Sequence, residues 1–210
     1  MAKKLNGRSE QLRSLVAEEA ARIMAEEWLS DFGQAKRKAA HRLGVTDRAA
    51  LPSNREIELA VIDRQRLFGQ DSRDDQLRRQ RELAKQAMTL LAEFEPRLVG
   101  AVLKGTATEY SDINLHLFAD ATEDVALKLM AQGIPYESEE KRVRYSDDRI
   151  EYRPVFRFEA AGAQVVATVF PFIGMRQPPQ SPVDGRPMRR ARLADVEALL
   201  SAESAVGESV

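Results

Sequence analysis

Apolar residues recur every three or four positions through about the first 95 residues and nearer every second position after Pro96, so the chain reads as a helical half followed by a strand-rich half. Ser9 is placed to cap a first helix, whose apolar positions are Leu12, Leu15, Val16, Ala20, Ile23 and Trp28. Beyond Ser30 and Asp31 a short basic helix is expected from Gln34 to Leu43, ending at Gly44. Ser53 and Glu56 have the spacing of a capping box and open a third helix carrying Ile57, Ala60, Val61, Leu67 and Phe68, with Gly69 as its stop. A fourth fits Asp74 to Phe94, since Leu77, Ala84, Ala87, Met88 and Leu91 share a face and Pro96 forbids continuation.

In the second half the apolar run Leu98 to Leu103 predicts a buried strand, and Gly105-Thr106 a turn after it. The alternating segment Asp112 to Phe118 predicts a second strand, and a helix is expected from Glu123 to Gln132, closed by Gly133. Lys141 to Tyr145, Arg149 to Glu159 and Val165 to Phe170 read as strands forming two hairpins, turning at Asp147-Asp148 and at Ala161-Gly162. A Pro- and Gly-rich stretch from Gly174 to Pro187 precedes a last helix, Leu193 to Leu200, and a loosely ordered tail. The fold class is therefore α+β: a helical subdomain over 1–95, a small mixed sheet with flanking helices over 96–200, and a tail over 201–210.

Composition narrows the chemistry. With 32 Lys plus Arg against 33 Asp plus Glu, the net charge of -1 draws neither nucleic acid nor anionic lipid to the molecule as a whole, and such partners must be met by local patches. Two basic clusters qualify: Lys36, Arg37, Lys38, His41 and Arg42 on the second helix, and Arg186, Arg189, Arg190 and Arg192 near the last. The first also reads as a solvated helix face, and the second as a solvated surface or as paired with the acidic helices of the N-terminal half. The absence of cysteine removes disulfides, thiolate nucleophiles and cysteine-bound metals. The start of the chain lacks the apolar stretch of a secretory signal, and no run is long enough to span a bilayer, so a cytoplasmic protein with no membrane partner is expected. No P-loop, serine-hydrolase elbow or His-Glu-x-x-His pair occurs.

Strand alternation puts Asp112, Asn114 and His116 on one face and Ile113, Leu115 and Leu117 on the other. By itself the alternation describes more simply a half-exposed strand whose polar side faces water than a row of three metal ligands. Its surroundings add information: an apolar segment, Gly105-Thr106, a short polar turn and Ser111-Asp112-Ile113-Asn114-Leu115 together resemble the signature of DNA polymerase β-type nucleotidyltransferases. The likeness covers Leu98 to Phe118 closely. It implies a nucleoside triphosphate as ligand and a magnesium or manganese ion held by strand carboxylates, because nucleotidyl transfer needs divalent ions to clamp the attacking and leaving oxygens. Residue by residue, it implies that Gly105 and Thr106 form a phosphate turn with Ser111 close by, that Asp112 is the first acid, and that Asn114 stands where the second acid belongs.

The sequence departs from that signature at two points. Asn114 carries no charge, and neither face of Val165 to Phe170 offers a third acid; Glu151, Glu159 and Asp184 are the nearest in sequence. His116 would complete an Asp-Asn-His set suited to a single transition metal. Arg186 and Arg189 would grip phosphate by paired hydrogen bonds. Two functions follow: metal-dependent nucleotidyl transfer from a triphosphate to an acceptor, with Asp112 and Asn114 at its centre, or a catalytically inactive module of the same fold that binds a nucleotide, RNA or protein.

Overall fold

In a computed structural model, residues 2–27, 29, 31–67, 70–109, 111–160 and 162–207 are described. Trp28, Ser30, Phe68, Gly69 and Ala161, which entered the sequence reading, and the chain end over 208–210 lie outside them. The fold is α+β, with helices first and a five-stranded sheet after them. Two units divide the chain, one formed by 1–73 with 108–111 and 182–184, the other by 74–107, 112–181 and 185–210.

The first unit contains α1 (Ala2–Glu26), α2 (Phe32–Arg42) and α3 (Asn54–Leu67). Its core is rich in alanine: Ala17, Ala20 and Ala21 of α1 meet Ala35, Ala39 and Ala40 of α2, with Ile23, Ile57 and Val61 filling the remaining space. Small side chains let helix axes approach closely. Asp31 caps α2 by accepting from the Gln34 N–H at 2.6 Å, and the Ser53 and Glu56 box opens α3, Ser53 N–H donating to the Glu56 carboxylate at 2.6 Å and Glu56 N–H to Ser53 Oγ at 3.2 Å. Within the basic cluster of α2, Lys38 and Arg42 are paired with Glu27, the residue after α1, and Arg42 also reaches Glu19 of α1 at 3.2 Å. These two cations are already engaged by carboxylates on α1 and just beyond it.

The second unit takes in most of α4 (Gln70–Leu90), and so begins some twenty residues before the change of period at Pro96. The reason is packing: Ala84, Ala87, Met88 and Leu91 are buried in the same core as the sheet. After α4 come β1 (Arg97–Val99), α5 (Gly100–Lys104), β2 (Ile113–Phe118), α6 (Thr122–Ala131), β3 (Tyr136–Arg144), β4 (Ile150–Ala160), β5 (Ala163–Phe170) and α7 (Leu193–Gly207). The strand expected over 98–103 is therefore only three residues long. Gly100, at φ 78°, turns the chain out of β1 into the short α5. The tail expected from 201 is helical as far as Gly207, where Ala and Glu sustain the helix and Glu203 is ion-paired with Arg81 of α4.

The sheet order is β1-β2-β5-β4-β3. β2 and β5 run parallel, with Ile113 beside Val165 and Phe118 beside Phe170, while the other neighbours are antiparallel. The mixed sheet and both hairpins agree with the alternation in the sequence. One face, made by Leu98, Ile113, Leu115, Leu117, Val165, Ala167, Val169, Phe156 and Phe158, is buried in a core shared with α4 to α7. The opposite face carries Asn114, His116 and Phe118 of β2 beside Val166, Thr168 and Phe170 of β5, then Arg157, Val155 and Arg153 of β4.

Candidate functional site

The residues singled out by the sequence begin where β2 starts. Asp112 is half-buried just ahead of the strand and Asn114 is two residues on. The Asn114 side-chain amide donates to the Asp112 backbone carbonyl at 3.1 Å, so its N–H end is turned toward Asp112. The Asp112 carboxylate is ion-paired with the Arg157 guanidinium of β4, with Nη1 3.8 Å from Oδ2, and Arg157 Nε donates to Glu139 of β3 at 2.7 Å. A carboxylate, a guanidinium and a second carboxylate thus cross the sheet in a row. Arg157 was not marked by the sequence reading, because its link to Asp112 exists only once β4 pairs with β5.

Gly105 and Thr106 hold a different position from the one the resemblance implies. Gly105 has φ 77° and ends α5; its N–H and that of Thr106 both donate to the Ala101 carbonyl, the latter at 3.0 Å. The buried Arg81 of α4 donates to the Val102 and Leu103 carbonyls at 3.3 and 3.5 Å. This is the carbonyl, electronegative end of a short helix, satisfied by a cation, and its amides are already spent. It serves as a helix stop where a phosphate turn was expected. Ser111 belongs to the first unit, where its N–H donates to the Thr108 carbonyl at 3.1 Å and its hydroxyl accepts from the Thr108 N–H at 2.9 Å.

His116 is 5 % exposed and lies against Phe170, ring centroids 4.6 Å apart. Arg190 Nε donates to its Nδ1 at 3.0 Å, which places the imidazole proton on Nε2. Burial, then the nearby Arg190 and Lys141 charges, hold its pKa well below 6.5, so the ring is neutral. Neither nitrogen, as held, presents a lone pair to a cation. Arg190 also donates through Nη1 to the Gly174 and Met175 carbonyls at 2.7 and 3.3 Å and lies over the Phe118 and Phe170 rings at 5.1 and 5.2 Å. Burial pushes its pKa down to about 10. It ties the segment after β5 onto the sheet, alongside the apolar cluster of Phe118, Phe170, Val143 and Tyr145. Arg186 and Arg189, the arginines expected to grip phosphate, are exposed, and the Arg186 carbonyl accepts from the Ser181 N–H at 2.7 Å.

No family model, no curated protein and no solved structure matches this chain. Among the described residues no cluster of three or more His, Asp or Glu is arranged to hold a metal, and no helix is long and apolar enough to cross a membrane. The donor set at β2 is one carboxylate facing a guanidinium, one amide turned by its N–H and one committed imidazole. Such a set does not fit the magnesium or manganese pair of nucleotidyl transfer, which requires several oxygen ligands bearing negative charge.

Proposed function

We propose that this protein is a nucleotidyltransferase-like module that binds a nucleotide without turning it over. The observation that supports the reading is the partner of Asp112: its carboxylate is balanced by Arg157, and among the described residues no metal-holding cluster of acids joins it. A site that loads divalent ions concentrates negative charge, whereas a guanidinium at the same place attracts the phosphate itself. Asn114, at the position of the second acid, retains a hydrogen-bonding side chain while contributing no charge for a metal. On this reading Arg157 and Asn114 contact phosphate or sugar oxygens, and Asp112 orients Arg157.

Calorimetry of the full chain with each of four nucleoside triphosphates, with and without magnesium or manganese, tests this. The expected result is binding that does not depend on the metal, without release of pyrophosphate, and weakened about tenfold or more by Arg157→Ala through loss of a charge-assisted contact. Metal-dependent turnover abolished by Asp112→Ala would restore the catalytic reading. Absence of binding under every condition would remove the nucleotide from consideration.

A further inference from the structure

β3 ends the sheet on the side away from β1: β4 lies on one flank, and no strand lies on the other among the described residues. Residues 137–142 of β3 are all exposed. An edge of this kind presents unpaired N–H and C=O groups, and proteins ordinarily blunt it by shortening the strand, bulging it, placing proline there or charging its side chains. β3 uses only the last of these, since it runs nine residues, contains no proline and keeps an unbroken register with β4 from Tyr136 to Arg144.

It is charged, and the order of the charges is informative. Glu137, Glu139 and Glu140 fill the first half of the strand, and Lys141, Arg142 and Arg144 fill the second. A parallel neighbour of the same sequence would set acid against acid and base against base. An antiparallel one sets the acidic half of each strand against the basic half of the other.

The backbone fixes which groups are on offer. The Tyr145 N–H bonds to the Arg149 carbonyl across the hairpin at 2.9 Å, so the next pair, Arg144 with Ile150, is of the non-bonded type and the Arg144 groups point outward; its carbonyl accepts from the Gln180 N–H at 2.7 Å. By alternation Ser138, Glu140 and Arg142 also direct their N–H and C=O groups away from β4. The geometry points to an interface in which a second copy of this chain pairs antiparallel with β3 over Ser138 to Arg142, joining the two sheets edge to edge.

A two-fold axis normal to the sheet must set one residue opposite its own twin, and Glu140 is the position that uses the outward backbone groups of Ser138, Glu140 and Arg142 symmetrically. Glu139 then faces Lys141 and Ser138 faces Arg142 of the other copy. The ladder stops short of Arg144, whose carbonyl is taken. The one like-charge meeting, Glu140 with its twin, is flanked diagonally by both Arg142 side chains. A ladder this short covers less area than a standard interface, so association in the micromolar range that weakens with salt is expected, on the order of 10 μM.

The full chain tests this directly, because it contains no cysteine and a single introduced thiol is its own reporter. In a bonded antiparallel pair the Cα atoms are about 5.5 Å apart, within reach of a disulfide, so mild oxidation of Glu140→Cys should trap a covalent dimer. Arg142→Cys, whose twin lies about 13 Å away along the strands, should not. Sedimentation between about 1 and 200 μM should show dimer in the unmodified protein, weakened about tenfold by Lys141→Glu while circular dichroism is unchanged. A monomer throughout that range, or equal trapping by the two cysteine variants, would overturn the interface.

Discussion

At the scale of single residues, the pair His116 and Arg190 shows how a side chain that reads as a ligand in the sequence becomes part of a clamp in the fold. His116 is held neutral with Nδ1 accepting, and Arg190 spreads its donors over that nitrogen and two backbone carbonyls. A base whose folded pKa lies below its unfolded value of 6.5 binds fewer protons when folded, so its contribution to stability is complete above pH 6.5 and declines as the pH falls below it. Urea unfolding at pH 7.5 and pH 5 should therefore show a loss of up to about 1.4 kcal/mol per pH unit in this window, and His116→Gln, which keeps an acceptor without titrating, should flatten it. Arg190→Met should cost about 1 to 3 kcal/mol in the same assay at pH 7.5, because it removes the bonds to the Gly174 and Met175 carbonyls and takes away the donor that the buried imidazole nitrogen accepts from. Asp112 and Asn114 could be picked from the sequence since strand alternation is a signal carried by residues two apart. The partners that decide their chemistry could not: Arg190 meets His116 across a separation of 74 residues, and Arg157 reaches Asp112 only through the pairing of β4 with β5.

Among elements, the stretch from Leu98 to Thr106 is where reading and structure part. Six consecutive apolar or small residues fit a buried strand and a buried helix equally, since periodicity cannot separate them in so short a run. The left-handed backbone of Gly100 decides the matter in favour of a three-residue strand followed by a helical turn. Gly105 then becomes a helix stop, with a clear expectation: Gly105→Ala has room for its Cβ, 3.6 Å from Arg81 and Leu77, and should lower stability by about 1 kcal/mol through the strain of φ 77° alone. Nucleotide affinity in the calorimetric assay should be unchanged by it. The capping box of α3, by contrast, was legible because both partners lie within three residues, and Ser53→Ala should cost about 1 kcal/mol in thermal or urea unfolding. The strands β2, β4 and β5 were legible for the same local reason. The inclusion of α4 in the sheet's core was not, because an amphipathic face announces that it will be buried without naming what buries it.

For the molecule as a whole, the composition of the two units carries its own expectation. A fragment beginning at residue 96 would lack Ala84, Ala87, Met88 and Leu91 from the core under the sheet, whereas one beginning at 74 would keep them. The longer fragment should give dispersed amide resonances and a cooperative melt, and the shorter one should give neither. The first unit is likewise not a continuous piece of chain: it takes 108–111 and 182–184 from far downstream, and the Asn54 side chain donates to the Pro182 carbonyl at 2.7 Å. During synthesis the helices α1 to α3 leave the ribosome early, yet the residues that complete their unit follow about 110 positions later. At about 5 to 20 residues per second, that is a wait of several seconds or more. The amino-terminal helices draw their apolar core wholly from residues 16–61 and can bury it during this interval, so what waits for the last third of the chain is a polar fastening, the Asn54 bond to Pro182.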